Sequence, residues 1–204
     1  MVGIIDYGVG NIASIKNALL FLNKDLKIDL VENAEDIQKY SKIILPGVGA
    51  FGNAIDLVRS KNFDDALIQE KKKGKYILGI CLGMQMLADK SHENGEHKGL
   101  GLIKGEVVDF VNDKNLKIPH MGWNEVFKVN SDPIFNNIED KSDFYFVHSY
   151  HFVCEDIENQ IGVTNYGYSF ASVVKNENVY GTQFHPEKSQ KDGLVFLKNF
   201  IELN

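Results

Sequence analysis

The stretch Tyr76-Ile77-Leu78-Gly79-Ile80-Cys81-Leu82-Gly83 opens as an unbroken apolar strand and ends on a cysteine framed by glycines. A strand without polar alternation belongs at the centre of a parallel sheet, where both of its faces are covered. The ending G-x-C-x-G has the spacing of a nucleophile elbow, a tight strand-to-helix turn that tolerates only small neighbours. A helix is predicted over 82–89. Its first backbone N–H groups and positive dipole end favour a thiolate at Cys81 and make the Leu82 N–H a candidate oxyanion donor. A free cysteine is by default a small buried hydrophobe, so the elbow alone leaves both readings open.

Toward the N-terminus, Val2 to Asp6 reads as a strand and runs into the turn Tyr7-Gly8-Val9-Gly10-Asn11. A helix follows with Ile12, Ile15, Ala18, Leu19 and Leu22 on one stripe. Residues 27–31 form a second strand. Lys42-Ile43-Ile44-Leu45 forms a third, ended by Pro46 and the loop Gly47-Val48-Gly49-Ala50-Phe51-Gly52. Helical spacing returns at Ala54, Ile55 and Val58, and again over about 63–73. The run Lys71-Lys72-Lys73 before Gly74 reads as a helix C-terminus, where basic residues complement the dipole and glycine suits the cap. Beyond the elbow, Gly, aromatic and β-branched residues between Gly105 and Gly181 predict short strands, some antiparallel, before a helix over about 192–203. The expected fold is α/β: a single domain over residues 1–204 with an open, mostly parallel central sheet flanked by helices, plus additional short antiparallel strands.

At 204 residues and 44% hydrophobic, the chain has the material for a substantial core. Its net charge of -6 argues against a nucleic-acid partner, which calls for a basic face. Cys81 and Cys154 are too few for a disulfide framework and point to a reducing compartment. The opening Val2-Gly3-Ile4-Ile5 reads as a strand rather than a signal peptide, and no apolar run reaches membrane-spanning length. A cytoplasmic protein without a membrane partner is expected.

A thiol nucleophile needs a base. The segment Val179-Tyr180-Gly181-Thr182-Gln183-Phe184-His185-Pro186-Glu187 supplies His185 at a strand end and a carboxylate two residues on, able to hold the imidazole in the useful tautomer. Alone, Phe-His-Pro-Glu is also a plain turn; together with the elbow it completes a nucleophile, base and orienting acid. The other histidines compete poorly. His148 and His151 are expected on opposite faces of one strand, so no metal site is predicted there. The segment from His92 to His97 has the polarity of a solvated loop, and His120 has no acidic neighbour at useful spacing. Gly8-Val9-Gly10-Asn11-Ile12-Ala13, with Glu32 after the second strand, fits a dinucleotide fingerprint. Yet Gly47-Val48-Gly49-Ala50-Phe51-Gly52 fits the same pattern, which arises readily in α/β proteins, and Tyr7 interrupts the first fingerprint. No cofactor is expected.

Across essentially its whole length the chain resembles the class I glutamine amidotransferases and, within them, the glutaminase subunits of imidazole glycerol phosphate synthases. The resemblance rests on Asp6-Tyr7-Gly8-Val9-Gly10-Asn11, Leu45-Pro46-Gly47-Val48-Gly49-Ala50-Phe51, Gly79-Ile80-Cys81-Leu82-Gly83-Met84-Gln85, Pro119-His120-Met121-Gly122-Trp123-Asn124 and Gln183-Phe184-His185-Pro186-Glu187-Lys188-Ser189. It implies a Cys81, His185, Glu187 triad acting on L-glutamine, with oxyanion stabilisation at Val48 and Leu82. It implies glutamine-binding positions at Gly49, Gln85, Ser149 and Tyr150. It also implies a heterodimeric partner, a (β/α)8-barrel cyclase that receives the ammonia and is met by Asn11, Met121, Trp123 and Lys188. Histidine biosynthesis is the implied pathway; paralogues that feed surface-sugar modification are the alternative. The flanking glycines make a turn of the Val48 peptide cheap, so activity is expected to depend on the partner.

Overall fold

The computed structural model describes residues 1–110 and 116–204. β1 (Val2–Ile5), β2 (Ile28–Val31), β3 (Lys42–Leu45) and β4 (Tyr76–Ile80) alternate with α1 (Ile12–Leu22), α2 (Phe51–Ser60) and α3 (Phe63–Lys72). After β4 come α4 (Leu82–Met86) and the strands β5 (Lys90–Ser91), β6 (His97–Lys98) and β7 (Gly105–Asp109). The second half holds β8 (His120–Lys128), β9 (Ser142–His148), β10 (Tyr150–Cys154), β11 (Gln160–Tyr166), β12 (Tyr168–Asn176) and β13 (Val179–Thr182), before α5 (Gln190–Glu202).

The strands β2, β1, β3, β4 and β13 lie side by side in that order, and every pair among them is parallel. From β13 the sheet turns antiparallel through β12 and β10 to β7, while β11, β8 and β9 branch from β12. The unbroken apolar runs of β1, β3 and β4 are explained by two cores. Ile5, Ile43, Leu45 and Ile77 pack with Phe51, Val58, Phe63 and Leu67 from α2 and α3. The alternating residues Val2, Ile4, Ile44, Leu78 and Ile80 pack with Ile15 and Leu19 of α1 and Phe196 and Phe200 of α5.

Parallel pairing of β4 with β13 positions the site. Gly79 lies opposite Gly181 and Ile80 opposite Thr182, so both strands end at the same edge. Cys81 leaves the first and His185 follows the second, which erases a sequence separation of a hundred residues.

The structure departs from the sequence expectation in two elements. The helix after Cys81 stops at Met86 rather than Asp89, because Leu87 and Ala88 N–H bond back to Met84 and Gln85 carbonyls in tight turns and Asp89 N–H is captured by Gly105 O. The strands expected to be short include β8 and β12, each nine residues long. Among the described residues no helix is long and apolar enough to cross a membrane.

Candidate active site

Cys81 sits at φ 55° and ψ -112°, a left-handed conformation that a side-chain-bearing residue adopts only when its surroundings impose it. Those surroundings are the flanking glycines. A Cβ on Gly83 would lie 1.9 Å from the Leu45 carbonyl oxygen, and one on Gly79 would lie 2.6 Å from the Gly83 oxygen. Only bare backbone lets α4 start this close to β3 and β4. The Cys81 N–H donates to Thr182 O at 2.7 Å, tying the elbow to the end of β13.

His185 is anchored through its own N–H, which donates to Tyr145 O on β9 at 2.9 Å. Pro186 then opens a short helical turn over Pro186–Lys188 that folds Glu187 back on the ring. His185 Nδ1 donates to Glu187 Oε1 at 2.9 Å with both side chains almost fully buried. The other ring nitrogen is left for the Cys81 sulfur. Burial pushes the imidazole pKa down, but hydrogen bonds to Cys81 and Glu187 and the charges of both outweigh it, and the pKa rises to about 9. Glu187 Oε1 also accepts from Asn11 Nδ2 at 3.1 Å, while Oε2 is buried without a hydrogen-bond partner among the described residues. Tyr7 O–H donates to Pro46 O at 2.9 Å beneath the glycine loop; burial, then the Cys81 charge, pushes its phenol well above the usual range.

A cavity of about 380 Å³ opens over the sulfur. Val48, Gly49, Cys81, Leu82, Gln85, Ser149, Tyr150 and His185 all line it. Gly49 takes φ +90°, which glycine adopts without strain. Gln85, one helical turn after Cys81, is only 4% exposed, and both protons of its amide are spent on Tyr150 O at 2.9 Å and Gln183 Oε1 at 3.0 Å. The remaining four sequence-derived positions lie around the site rather than in the cavity lining. Asn11 reaches it through Glu187. Met121 and Trp123 are large exposed apolar side chains on β8, Trp123 lies edge-on to Tyr145 at 6.1 Å, and Lys188 Nζ sits 5.9 Å above the same ring.

The glutamine amidotransferase class-I family matches residues 3–203. Imidazole glycerol phosphate synthase subunit HisH of Sulfurimonas denitrificans is 46% identical, covering 99% of this chain and 98% of that one. The subunit of the same name from Methanocaldococcus jannaschii is also 46% identical, over the full length of both. This chain belongs to the class I glutamine amidotransferases. The fold of the amidotransferase is shared by PurLQS from Thermotoga maritima, at a TM-score of 0.78 and 22% identity over 98% of this chain and 96% of that one.

The amidotransferase cavity is also lined by Glu93, Pro119, Val147 and His148, which sequence reasoning missed. Glu93 lies in the polar segment read as a solvated loop. Instead, its carboxylate accepts the Phe51 N–H at 2.8 Å and so docks on the start of α2, whose preceding Ala50 has no side-chain acceptor to offer. His148 and His151 also depart from expectation. The strand breaks at Ser149 between β9 and β10, and both rings pack on the Phe110 ring, at 5.3 and 5.0 Å, instead of facing opposite ways. His120 is buried beside them. No grouping of three or more His, Cys, Asp or Glu side chains suited to a metal occurs among the described residues. The turn once comparable to a dinucleotide fingerprint is used by the chain itself: Gly8 N–H donates to Asp6 Oδ1 and Asn11 to Glu187.

Proposed function

We propose that this amidotransferase is the glutaminase subunit of an imidazole glycerol phosphate synthase, a single domain over residues 1–204 that serves histidine biosynthesis in the cytoplasm. The observation that carries the reading is the buried Cys81, His185, Glu187 array, whose sulfur and imidazole line a cavity of about 380 Å³ while the carboxylate backs the ring. The two HisH relatives, matched end to end, support the choice of pathway.

In the proposed reaction the Cys81 thiol passes its proton to His185 and its sulfur attacks the side-chain carbonyl carbon of L-glutamine, and the carbonyl electrons move onto oxygen. The N–H groups of Val48 and Leu82 hold that oxyanion. As the C–N bond breaks, His185 delivers its proton to the departing nitrogen, leaving ammonia and a glutamyl thioester. Water then attacks the thioester with His185 as base, releasing glutamate and restoring the thiol. A pKa raised to about 9 suits the first half, since the ring keeps its proton through neutral pH until the leaving group needs it. Gly49, Gln85, Ser149 and Tyr150 bind the substrate, and the Glu93 carboxylate supplies an anion for its α-ammonium group.

Ammonia released into water is protonated and loses its nucleophilicity, so the product must pass directly to a second site. A (β/α)8-barrel cyclase is the proposed acceptor, seated on Met121, Trp123 and Lys188, with Asn11 linking that face to Glu187. The test is to purify the chain with its cognate cyclase, measure glutamate release, and treat the complex with a glutamine-like electrophile. The expected result is turnover abolished in step with one covalent adduct on Cys81. An adduct elsewhere, or turnover that survives full labelling, contradicts the reading.

A further inference from the structure

His120 and His148 are cross-strand partners on β8 and β9, and their rings are joined by a hydrogen bond of 2.9 Å between His120 Nδ1 and His148 Nε2. Both are buried, and neither belongs to the triad. The direction of this bond is fixed from its two ends. His148 Nδ1 lies 2.8 Å from Tyr150 O, and a carbonyl only accepts, so that nitrogen carries the proton. At the far end Asn124 Nδ2 donates to Asn165 O at 3.0 Å and to His120 Nε2 at 3.1 Å, while Asn124 Oδ1 accepts the Glu125 N–H. His120 Nε2 is therefore bare, its Nδ1 carries the proton, and His148 Nε2 receives it. Burial favours this neutral arrangement by pushing His120 down to about 4 and His148 down to about 3.

The chain of donors ends on the Tyr150 carbonyl. Tyr150 O accepts from His148 and also from Gln85 Nε2 at 2.9 Å. With Gln183 Oε1 taking the second proton, the Gln85 amide has one satisfied orientation, and its Oε1 is the atom left for a donor on the substrate. The His120 ring cannot swing away, because it is stacked between Tyr166 at 4.0 Å and Phe146 at 4.9 Å.

We propose that His120 is a positioning residue for glutamine binding: its Nδ1–H fixes His148 as the Nδ1-protonated tautomer, and His148 thereby holds the Tyr150 carbonyl that orients the Gln85 amide. This rests on the glutaminase reading above. Loss of the donor leaves His148 Nε2 without its partner and frees the ring to change tautomer, which removes one of the two ligands of the Tyr150 carbonyl. Substrate affinity suffers first, since the sulfur and His185 are held by other contacts.

The test uses His120→Leu, His120→Asn and His120→Gln in the complex with the cyclase subunit. An asparagine amide places its nitrogen near the Nδ1 position and retains the donor; leucine has none, and glutamine places its amide near Nε2. His120→Leu and His120→Gln are expected to raise the glutamine KM about tenfold with kcat changed less than about threefold, and His120→Asn to restore KM to within about threefold of the parent. Alkylation of Cys81 by iodoacetamide, which lacks the α-amino and carboxylate groups of glutamine, is expected to keep its parental rate in all three. Equal KM values in all variants, failure of asparagine to restore, or a joint fall of kcat and alkylation rate overturns the proposal. If His120→Leu does not fold, the contrast between the asparagine and glutamine variants decides. Nitrogen-15 spectra of the parent rings give an arm independent of turnover: Nδ1-protonated neutral His120 and His148 at pH 7 are expected, and the Nε2 tautomer of His148 overturns the proposal. A parent complex that releases no glutamate contradicts the glutaminase reading instead, while these spectra still decide the relay.

Discussion

In the proposed reaction Cys81, His185 and Glu187 divide the work by environment. The sulfur is held in a strained backbone conformation at the cavity floor, and the imidazole is fixed between that sulfur and a carboxylate with no exposed side-chain surface. Because the His185 pKa is raised, the ring is protonated below about 9, and the proton needed by the leaving ammonia is lost as pH rises through that value. Glutamine turnover is expected to fall on the alkaline side with an apparent pKa near 9. Glu187→Gln removes a hydrogen bond and a charge that both raise the pKa, so the alkaline limb should move to lower pH and kcat should drop by about a hundredfold or more. A pH-rate profile of both proteins checks this, and an unmoved limb counts against Glu187 as the orienting acid. At this scale the sequence was legible where chemistry is local: the elbow and Phe-His-Pro-Glu name their own residues. Glu93, Pro119, Val147 and His148 were not, because their place in the cavity depends on how distant segments fold back, and no spacing rule records that.

The elements deliver those residues through backbone contact rather than side-chain packing. α4 is five residues long, so its contribution lies less in a helix dipole than in carrying Leu82 and Gln85 past the sulfur at fixed positions. Its closest approach is Gly83 on Leu45 O, where a methyl group would lie at 1.9 Å. Gly83→Ala is therefore expected to cost about 3 kcal/mol of stability, read from the urea midpoint, and to reduce turnover even at saturating glutamine because the elbow must shift. A variant with parental midpoint and rate would show that the approach is not tight. The alternation of strands and helices through α3 was legible, since apolar runs and helical stripes are local patterns. The break at Ser149 was not. Val147-His148-Ser149-Tyr150-His151 reads as one β-branched and aromatic strand, and only pairing to two different neighbours, β8 on one side and β7 on the other, splits it.

For the molecule as a whole, two equilibria matter, and the first follows from the buried histidines. The pKa values of His120 and His148, pushed by burial to about 4 and about 3, lie below the ~6.5 of an unfolded chain. The unfolded state binds more protons between those values, so their contribution to stability is complete above about 6.5 and is lost as pH falls toward the folded values. Urea titrations are expected to show stability declining by about 1 kcal/mol per pH unit for each ring below pH 6, and His120→Asn should remove part of that slope. The second equilibrium is assembly. With a glycine at position 49, where a peptide turns cheaply, and large apolar side chains exposed at Met121 and Trp123, the isolated chain is expected to hydrolyse glutamine slowly and the proposed complex at least tenfold faster. Equal rates with and without the cyclase would remove the partner from the mechanism. The most direct measurement compares two nitrogen sources in one complex, parent against Cys81→Ser. The serine variant is expected to lose glutamine-dependent synthesis while the complex still converts the cyclase substrate with ammonium salts at the parental rate; synthesis from glutamine at an undiminished rate would exclude Cys81 as the nucleophile.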